Sequence, residues 1–204
     1  MTEIDVRRGV PAGHRVASEW RVSHYGPVPR RTDPGGWDLR ISGATASGHD
    51  HLLGLAALEA LPRVRVHADL HCVSGHTVLD LCWSGIPTTA LFDLIPPRED
   101  VRYVMAWAQF GYSANLTRAD FAAEGSLLAT HVADRPLEPE RGGPLRLVVP
   151  HLYSWKGPKW LRQIEYLTQD RRGFWEERGY HNSGDPWTGR RYSHQEETGE
   201  GPPL

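Results

Sequence analysis

Short apolar segments, most of them alternating with polar residues, limit the folds open to this chain. Residues 37–42 (WDLRIS) and 64–70 (VRVHADL) place an apolar residue at every second position, which is typical of half-buried strands. Similar patterns predict strands in RYVMAWAQF, SLLATHV and LRLVVP and short helices in HLLGLAALEALP, GIPTTALFDLI and TRADFAAEG, while KWLRQIEYL fits either element. A chain of 204 residues is long enough to bury a sizeable core. We therefore expect an α+β protein with a single mixed α/β domain.

Both ends of the chain lack these patterns. Residues 1–36 are interrupted by glycines and prolines, which predict an irregular N-terminal segment; the prolines are Pro11, Pro27, Pro29 and Pro34. From about Arg171 the chain is polar, with spaced aromatic residues at Trp175, Tyr180, Trp187 and Tyr192. We interpret this part as a C-terminal arm that wraps the domain through its aromatic side chains, and we expect the last ten residues to be disordered.

The composition excludes several classes of function. A formal net charge of −2 and the lack of a basic aromatic stripe argue against a nucleic-acid partner. No apolar run approaches the roughly 18 residues that span a bilayer. The charged N-terminus, MTEIDVRRGVPAGHR, is not followed by an apolar stretch, so we expect no secretory or twin-arginine signal and a cytoplasmic protein. In that compartment the two cysteines are expected to be thiols.

Both cysteines lie in the segment ADLHCVSGHTVLDLCW, residues 68–83, together with His71 and His76. Zinc is one interpretation, but the spacing lacks the paired blocks of a structural zinc site. His71 and Cys72 are adjacent, and on an extended chain adjacent side chains point to opposite faces. A nucleophilic cysteine needs a base supplied by the fold. A buried free thiol at the end of a strand is the remaining alternative, and the segment alone leaves all of these open.

Four segments, taken in order, resemble one known family. In chain order they are HRVASEWRVSHYGPVP, DLHCVSG with the following WSGIPTTALFDL, GGPLRLVVPHLYSWKGPKWL and GFWEERGYHNSGDPW. Together they resemble the sulfite-oxidase family of molybdopterin-dependent oxidoreductases, in particular its small bacterial members. The periplasmic catalytic subunit that reduces methionine sulfoxide is a related protein. The resemblance implies a molybdopterin-binding domain of the sulfite-oxidase type at residues 14–193, with flexible termini at 1–13 and 194–204.

This resemblance implies a molybdopterin cofactor whose molybdenum is bound by Cys72. A soft thiolate suits a redox metal that changes by two electrons, and one protein ligand leaves room for an oxygen atom to be exchanged. Tyr112 and Asn115, on a loop after a strand, are expected to face the site as catalytic residues together with Cys72. Cys82 is interpreted as a thiol of the core.

The resemblance also assigns residues to the rest of the cofactor. Ser154, Trp155 and Lys156 match the triplet that binds the phosphate, and Arg146 matches a cofactor-binding arginine. Lys156 and Lys159 are the only lysines in the chain, and lysine can act as a point charge toward phosphate. The remaining predicted cofactor contacts are Arg141, which stands where relatives carry a neutral polar residue, and His24 and Tyr25, which are expected beside the pterin.

The expected reaction moves an oxygen atom to or from a small substrate. No arginine follows Cys72 in the sequence Val73, Ser74, Gly75, His76, so we favour reduction of a sulfoxide or N-oxide over sulfite oxidation. A separate redox partner protein is expected, because the chain has no dinucleotide fingerprint, haem motif or iron–sulfur cysteines. The alternative is a protein that binds or carries molybdopterin without catalysing a reaction.

Overall fold

The structure is a computed structural model and describes residues 1–29 and 36–204. Pro34 and Gly35, two of the residues expected to break the N-terminal segment, lie outside these ranges. The described strands are β1 (Thr2–Asp5), β2 (Arg15–Val16), β3 (Asp38–Gly43), β4 (His51–Gly54), β5 (Val64–Cys72), β6 (His76–Pro87), β7 (Tyr103–Ala108), β8 (Ser113–Thr117), β9 (Leu127–Val132), β10 (Arg135–Pro136), β11 (Arg146–Val148) and β12 (Leu161–Leu167). The described helices are α1 (Leu55–Glu59), α2 (Thr89–Leu94) and α3 (Arg118–Ala122).

The strands form two mixed sheets. In the first sheet the order is β1-β5-β6-β9-β10, with β11 added to β9 and β2 added to β6. In the second sheet the order is β4-β3-β12-β7-β8. Most neighbouring strands are antiparallel, whereas β1 with β5, β2 with β6, and β3 with β12 are parallel. The predicted single mixed α/β architecture, with few and short helices, is confirmed.

Two apolar clusters bury the alternating residues that the sequence singled out. The larger cluster includes Leu39 and Ile41 of β3 and Ile164 of β12, all fully buried. The smaller cluster includes Val66 and Ala68 of β5, packed beneath Trp83 of β6. Alternation fixes the buried face of β5 as far as the irregularity between Ala68 and Leu70. Beyond that point the polar residues Asp69 and His71 are buried instead.

Several local predictions are confirmed. The segment KWLRQIEYL, left ambiguous by its pattern, is strand β12. Thr117 caps α3, since its Oγ1 accepts a hydrogen bond from the Asp120 amide at 3.0 Å. Helix α2 begins two residues after Pro87, because β6 continues through that proline.

Other predictions are wrong in detail. The N-terminal segment is not wholly irregular, because β1 pairs with β5 and places Ile4 against the smaller cluster. The expected helix over HLLGLAALEALP starts as strand β4, since residues 51–54 pair with β3, and only Leu55–Glu59 is helical. Residues 76–82, for which no pattern predicted a strand, form the first part of the twelve-residue β6.

The C-terminal arm contacts the domain through its aromatic side chains, as expected. The Tyr180 ring lies edge-on to Trp155 with ring centroids 4.9 Å apart, and the Trp187 ring lies edge-on to His71 at 5.7 Å. Farther along, Glu196 forms an ion pair with Arg172 at 2.6 Å. The boundaries at residues 14 and 193 stay predictions. Within residues 1–29 and 36–204, no helix is both long and apolar enough to cross a bilayer.

Candidate functional site

Cys72 is the last residue of β5 and lies opposite His76, the first residue of β6. Its half-buried side chain accepts a hydrogen bond from Ser74 Oγ, with an Oγ–Sγ distance of 3.1 Å. The His76 Nδ1 lies 3.1 Å from the same hydroxyl, and Arg15 Nε donates to His76 Nε2 at 3.0 Å. The thiol is therefore reachable from outside the core and surrounded by polar groups.

The turn after Cys72 also receives arginines from distant segments. Arg15 reaches it through His76, and the Arg191 guanidinium lies against Gly75, 3.6 Å from the position of a Cβ there. No arginine directly follows Cys72 in the sequence, but the fold supplies positive charge at the same turn from Arg15 and Arg191. The lack of a neighbouring arginine therefore does not disfavour an anionic substrate.

His71 and Cys72 point to opposite sides, as their adjacency predicted. His71 is only 2% exposed, and its Nδ1 lies 3.1 Å from Thr77 Oγ1. Burial lowers the pKa of His71 to about 4, so its imidazole is neutral at pH 7. Across the described residues, no three histidine, cysteine, aspartate or glutamate side chains gather as a metal site. Cys82 is half-buried on β6 rather than part of the core, and burial raises its pKa.

The turn Ser154–Lys156 lies beside the strand that ends in Cys72. This 3₁₀ turn contacts β5, β8 and β11. Just before it, Tyr153 pairs with His71 in an isolated bridge, and its ring stacks on Trp155 at 4.8 Å. After the turn, a Cβ at Gly157 would lie 2.4 Å from the Leu147 carbonyl oxygen, so only glycine allows this close packing. The fold thus brings together the segment ending in Cys72, which was predicted to bind the metal, and the turn that was predicted to bind the phosphate of the same cofactor.

Lys156 does not present its ammonium to the outside. The residue is 1% exposed, and Nζ donates to the carbonyl oxygens of Asn115, at 2.9 Å, and Asn182. Nζ also donates to the Asn115 side-chain oxygen at 2.8 Å and forms an ion pair with Glu176 at 2.7 Å. With its donors used internally, the Lys156 side chain stabilises the turn. Its backbone N–H also donates to the Tyr153 carbonyl at 2.9 Å, so neither group is available to a phosphate.

Asn115 belongs to the same interior network. It is 2% exposed, and its amide Nδ2 donates to Asp170 and Asn182, each at 2.9 Å. Its oxygen accepts from Lys156. All of its polar groups are engaged within the protein, so the geometry supports a positioning role rather than contact with a substrate.

Arg141, Arg146 and Lys159 form a cluster of cations, named here the cation cluster. Arg146 Nη1 donates to the Arg141 carbonyl at 3.0 Å, while the buried Nε has no hydrogen-bond partner among residues 1–29 and 36–204. Lys159 Nζ donates to the carbonyls of Ser23 and Glu140 at 2.9 and 2.7 Å. The partners of these side chains are mostly backbone carbonyls, and Glu138 lies 4.0 Å from Arg141 as an exposed carboxylate.

The electrostatics of the cation cluster follow from burial. Arg146 is 3% exposed, and desolvation lowers its pKa to about 10. Desolvation, together with the charges of Arg146 and Arg141, lowers the pKa of Lys159 to about 7. Buried cations without carboxylates are costly unless an anion compensates them. The cluster therefore has the charge and the donors that a phosphate group requires.

Aromatic residues connect the cation cluster with the turn. Tyr112 OH donates to the Trp155 carbonyl at 2.5 Å, and burial raises the pKa of Tyr112 well above its usual value. The Tyr112 and Tyr25 rings both pack on Phe174, at 5.6 and 4.3 Å. His24 lies edge-on to Trp160 at 5.4 Å, next to Lys159. The two N-terminal residues predicted beside the pterin are thus placed over this part of the site.

The fold brings the predicted residues into one region but divides their roles. Lys156 and Asn115 point into the interior. The other predicted residues lie around the turn and the cation cluster: Cys72, Ser154, Trp155, Arg141, Arg146, Lys159, Tyr112, His24 and Tyr25. Sequence reasoning missed Glu176 and Asn182, which bind Lys156. Their segment, GFWEERGYHNSGDPW, was noticed only as part of the arm, and nothing in its pattern identifies a carboxylate that pairs with a lysine about twenty residues earlier.

A comparison with protein families decides the identity of this arrangement. The model described as "oxidoreductase molybdopterin binding domain" matches residues 25–175. The chain belongs to this family. It is therefore a member of the sulfite-oxidase family of molybdopterin oxidoreductases, as its motifs indicated, and the domain implies a molybdopterin cofactor.

Relatives within this family differ in length and description. The chain is 40% identical over 184 residues to YuiH of Bacillus subtilis (strain 168), an oxidoreductase described as uncharacterized, covering 90% of this chain and 92% of YuiH. It is 26% identical to the putative protein-methionine-sulfoxide reductase subunit YedZ1 of Azospira oryzae, covering 74% and 56%. It is also 26% identical to the protein-methionine-sulfoxide reductase catalytic subunit MsrP of Xanthomonas campestris, covering 69% and 48%. The chain thus spans about half the length of the last two relatives.

A solved structure supports the fold of this family member. The sulfane dehydrogenase SoxCD from Paracoccus pantotrophus superposes with a TM-score of 0.63 at 17% identity, over 69% of this chain and 40% of that one. The residues of the site fit the family's cofactor on physical grounds. A half-buried thiol lies beside the turn, and the cation cluster holds a buried guanidinium nitrogen, Arg146 Nε, that lacks an acceptor.

Proposed function

We propose that this chain is a molybdenum-dependent oxidoreductase that transfers an oxygen atom to or from a small substrate. The observation that supports this most is the contact between the strand ending in Cys72 and the turn Ser154–Lys156, with the cation cluster alongside. A thiol and an anion-binding surface, placed at two parts of one site, suit a metal bound to an organic phosphate.

Each residue has a proposed role in holding the cofactor. When bound, molybdopterin supplies molybdenum chemistry that exchanges an oxygen atom with a two-electron change. Cys72 provides the thiolate ligand, while Arg141, Arg146 and Lys159 compensate the phosphate charge together with the Ser154–Trp155 backbone. His24 and Tyr25 cover the pterin, and Tyr112 orients the turn through the Trp155 carbonyl. Lys156 and Asn115 act from the interior as positioning residues.

Reduction of a sulfoxide or N-oxide remains the favoured direction. The support is the similarity to two relatives that are described as protein-methionine-sulfoxide reductase subunits. Arg15 and Arg191 at the Cys72 turn are compatible with an anionic substrate as well, so both directions belong in the assay. Electrons would be exchanged with a separate redox partner protein, and the cytoplasmic location stays a prediction from the N-terminal sequence.

The first experiment measures metal and pterin in protein produced with and without molybdate. We expect molybdenum and one released pterin per chain, and stoichiometric zinc without molybdenum would overturn the proposal. In Cys72→Ser we expect the thiolate-to-molybdenum charge-transfer band to vanish and turnover to fall by at least ~10³-fold, because the sulfur is the protein ligand. Cys82→Ser is the matched control and should retain both.

A second experiment separates an enzyme from a carrier of the cofactor. Reduced viologen dye is oxidised by the loaded protein with methionine sulfoxide, dimethyl sulfoxide or trimethylamine N-oxide as acceptor, and sulfite is tested in the reverse direction with ferricyanide. We expect turnover with at least one of these acceptors. A fully loaded protein without turnover in either direction would identify a carrier.

A further inference from the structure

The C-terminal arm forms three hydrogen bonds with the turn Ser154–Lys156 and with Tyr153, the residue just before it. The Tyr153 amide donates to the Gly184 carbonyl at 2.7 Å. Trp155 Nε1 donates to Glu176 Oε1 at 3.0 Å, and Lys156 Nζ donates to the Asn182 carbonyl. The turn is therefore held by a segment that lies beyond residue 175, where the match to the family model ends.

Glu176 is the central residue of these contacts. It is fully buried, and its Oε1 accepts from Trp155 Nε1 and pairs with Lys156 Nζ at 2.7 Å, whereas Oε2 has no hydrogen-bond partner. The arm is fixed here, because a Cβ at Gly173 would lie 2.7 Å from the Ala114 Cα. Burying a carboxylate costs free energy unless it is paired. The hydrogen bond from Trp155 and the ion pair with Lys156 offset this cost for Glu176, and Glu176 offsets the cost of burying the Lys156 ammonium.

The same turn carries the acceptors of two residues in the proposed site. The Trp155 carbonyl accepts from Tyr112 OH at 2.5 Å, and the Gly157 carbonyl accepts from Arg146 Nη2 at 3.5 Å. A shift of the turn therefore moves the oxygens that orient Tyr112 and the Arg146 guanidinium. The route runs from Glu176 through the turn to the cation cluster.

We propose that Glu176 is a positioning residue for cofactor binding, and that Lys156 serves this function with it instead of contacting the phosphate. The inference rests on the proposed function, since it concerns the same cofactor. It predicts that the arm is part of the binding site. It also predicts that removing the Glu176 charge shifts the backbone of the turn and so changes the geometry of the cation cluster.

The test compares Glu176→Gln, which removes the charge, and Glu176→Leu, which also removes the acceptor, with substitutions of the exposed neighbour Glu177. Leu58→Ala, in the larger apolar cluster, serves as a control with a loss of stability but no contact to the turn. We expect pterin to dissociate about 10-fold faster from Glu176→Gln and faster still from Glu176→Leu, as for other groups that orient ligand-binding residues. Glu177→Gln and Glu177→Leu should match the unchanged chain.

A readout without cofactor separates this inference from the proposed function. In the chain freed of pterin, the Lys156 and Gly157 amides should exchange hydrogen faster in Glu176→Gln than in Leu58→Ala at equal thermal stability. If hydrogen exchange and pterin loss in Glu176→Gln are no faster than in Leu58→Ala at equal thermal stability, the positioning role of Glu176 is wrong. If the unchanged chain never binds pterin, the proposed function fails, and the exchange comparison still decides whether Glu176 orders the turn.

Discussion

Lys156 and Lys159 are three residues apart and were assigned to the same phosphate, yet their surroundings are opposite. Lys156 is enclosed with Glu176, so its charge is matched by a carboxylate at 2.7 Å. Lys159 lies with Arg141 and Arg146, and its ammonium donates to the backbone carbonyls of Ser23 and Glu140. One lysine is neutralised within the protein, and the other adds to a surplus of positive charge.

This difference separates a structural charge from one that is available to a ligand. A buried lysine whose donors all bind a carboxylate and carbonyls holds two segments together but has no donor left for an anion. The cation cluster has one buried and two half-buried cations, bonded mostly to neutral carbonyls, and it pays a desolvation cost that an anion can offset. We therefore expect stability to depend on Lys156 and ligand binding to depend on the cation cluster.

The largest expected effect concerns the free energy of unfolding. Lys156→Met leaves Glu176 buried without its cation, and we expect a loss of ~3–5 kcal/mol in urea denaturation of the cofactor-free chain. Lys159→Met keeps most of the aliphatic stem and removes a cation from a repulsive group, so its change should stay within about 1 kcal/mol. Equal losses in the two variants would break the comparison.

Arg146→Met should weaken cofactor binding most strongly within the cation cluster. The loss of a hydrogen bond between a charged donor and phosphate corresponds to about 10- to 100-fold in affinity. Retention of pterin during gel filtration, followed by fluorescence of the released pterin, measures this effect. Arg102→Met is the control, since Arg102 also donates to a backbone carbonyl, that of Glu99 at 2.7 Å, but lies outside the site.

The pH dependence should identify Lys159. Burial beside Arg146 and Arg141 lowers the pKa of Lys159 from its usual 10.5 to about 7, so the ammonium loses its proton as pH rises through 7. Pterin retention should therefore be strongest below pH 7 and decline by pH 9, and Lys159→Met should remove the decline. The control is needed because the phosphate itself gains charge near pH ~6, which acts in the opposite direction.

The cofactor-free chain should show the opposite trend at the same residue. Between about pH 7 and 10.5 the unfolded chain binds a proton at Lys159 that the folded chain has released. The unfolding free energy contributed by Lys159 therefore rises with pH across this window. If the urea midpoint of the unchanged chain varies with pH no more than that of Lys159→Met, the surroundings in the cation cluster do not lower the pKa of Lys159.

The smallest expected effect comes from Glu138, an exposed carboxylate beside Arg141 of the cation cluster. Its side chain is 73% exposed and lies 4.0 Å from Arg141, so the pair contributes little. Glu138→Gln should slow pterin dissociation by at most about 2-fold at low salt and have no effect at high salt. A larger change would mean that the exposed carboxylate, not the buried cations, controls the charge of the site.

Much of the fold could be predicted from short-range patterns. Alternation in β3, β5, β7, β9 and β12 reflects which side chains are buried, and the Thr117 cap is a local hydrogen bond. The errors occur where pairing with a distant strand decides the conformation. Residues 51–54 extend because β3 pairs with them, and β1 forms because β5 offers an edge.

The sequence by itself determined the family, through ordered motifs, and the two segments that hold the candidate site. Only the tertiary structure decided what each charged residue in those segments does. Whether the charge of a lysine is neutralised depends on the residues around it. Lys156 is surrounded by the segment that holds Glu176 and Asn182, and Lys159 by the segment that holds Arg141 and Arg146. The same holds for Arg15 and Arg191 at the Cys72 turn, because electrostatic energy depends on distance in space and not on separation along the sequence.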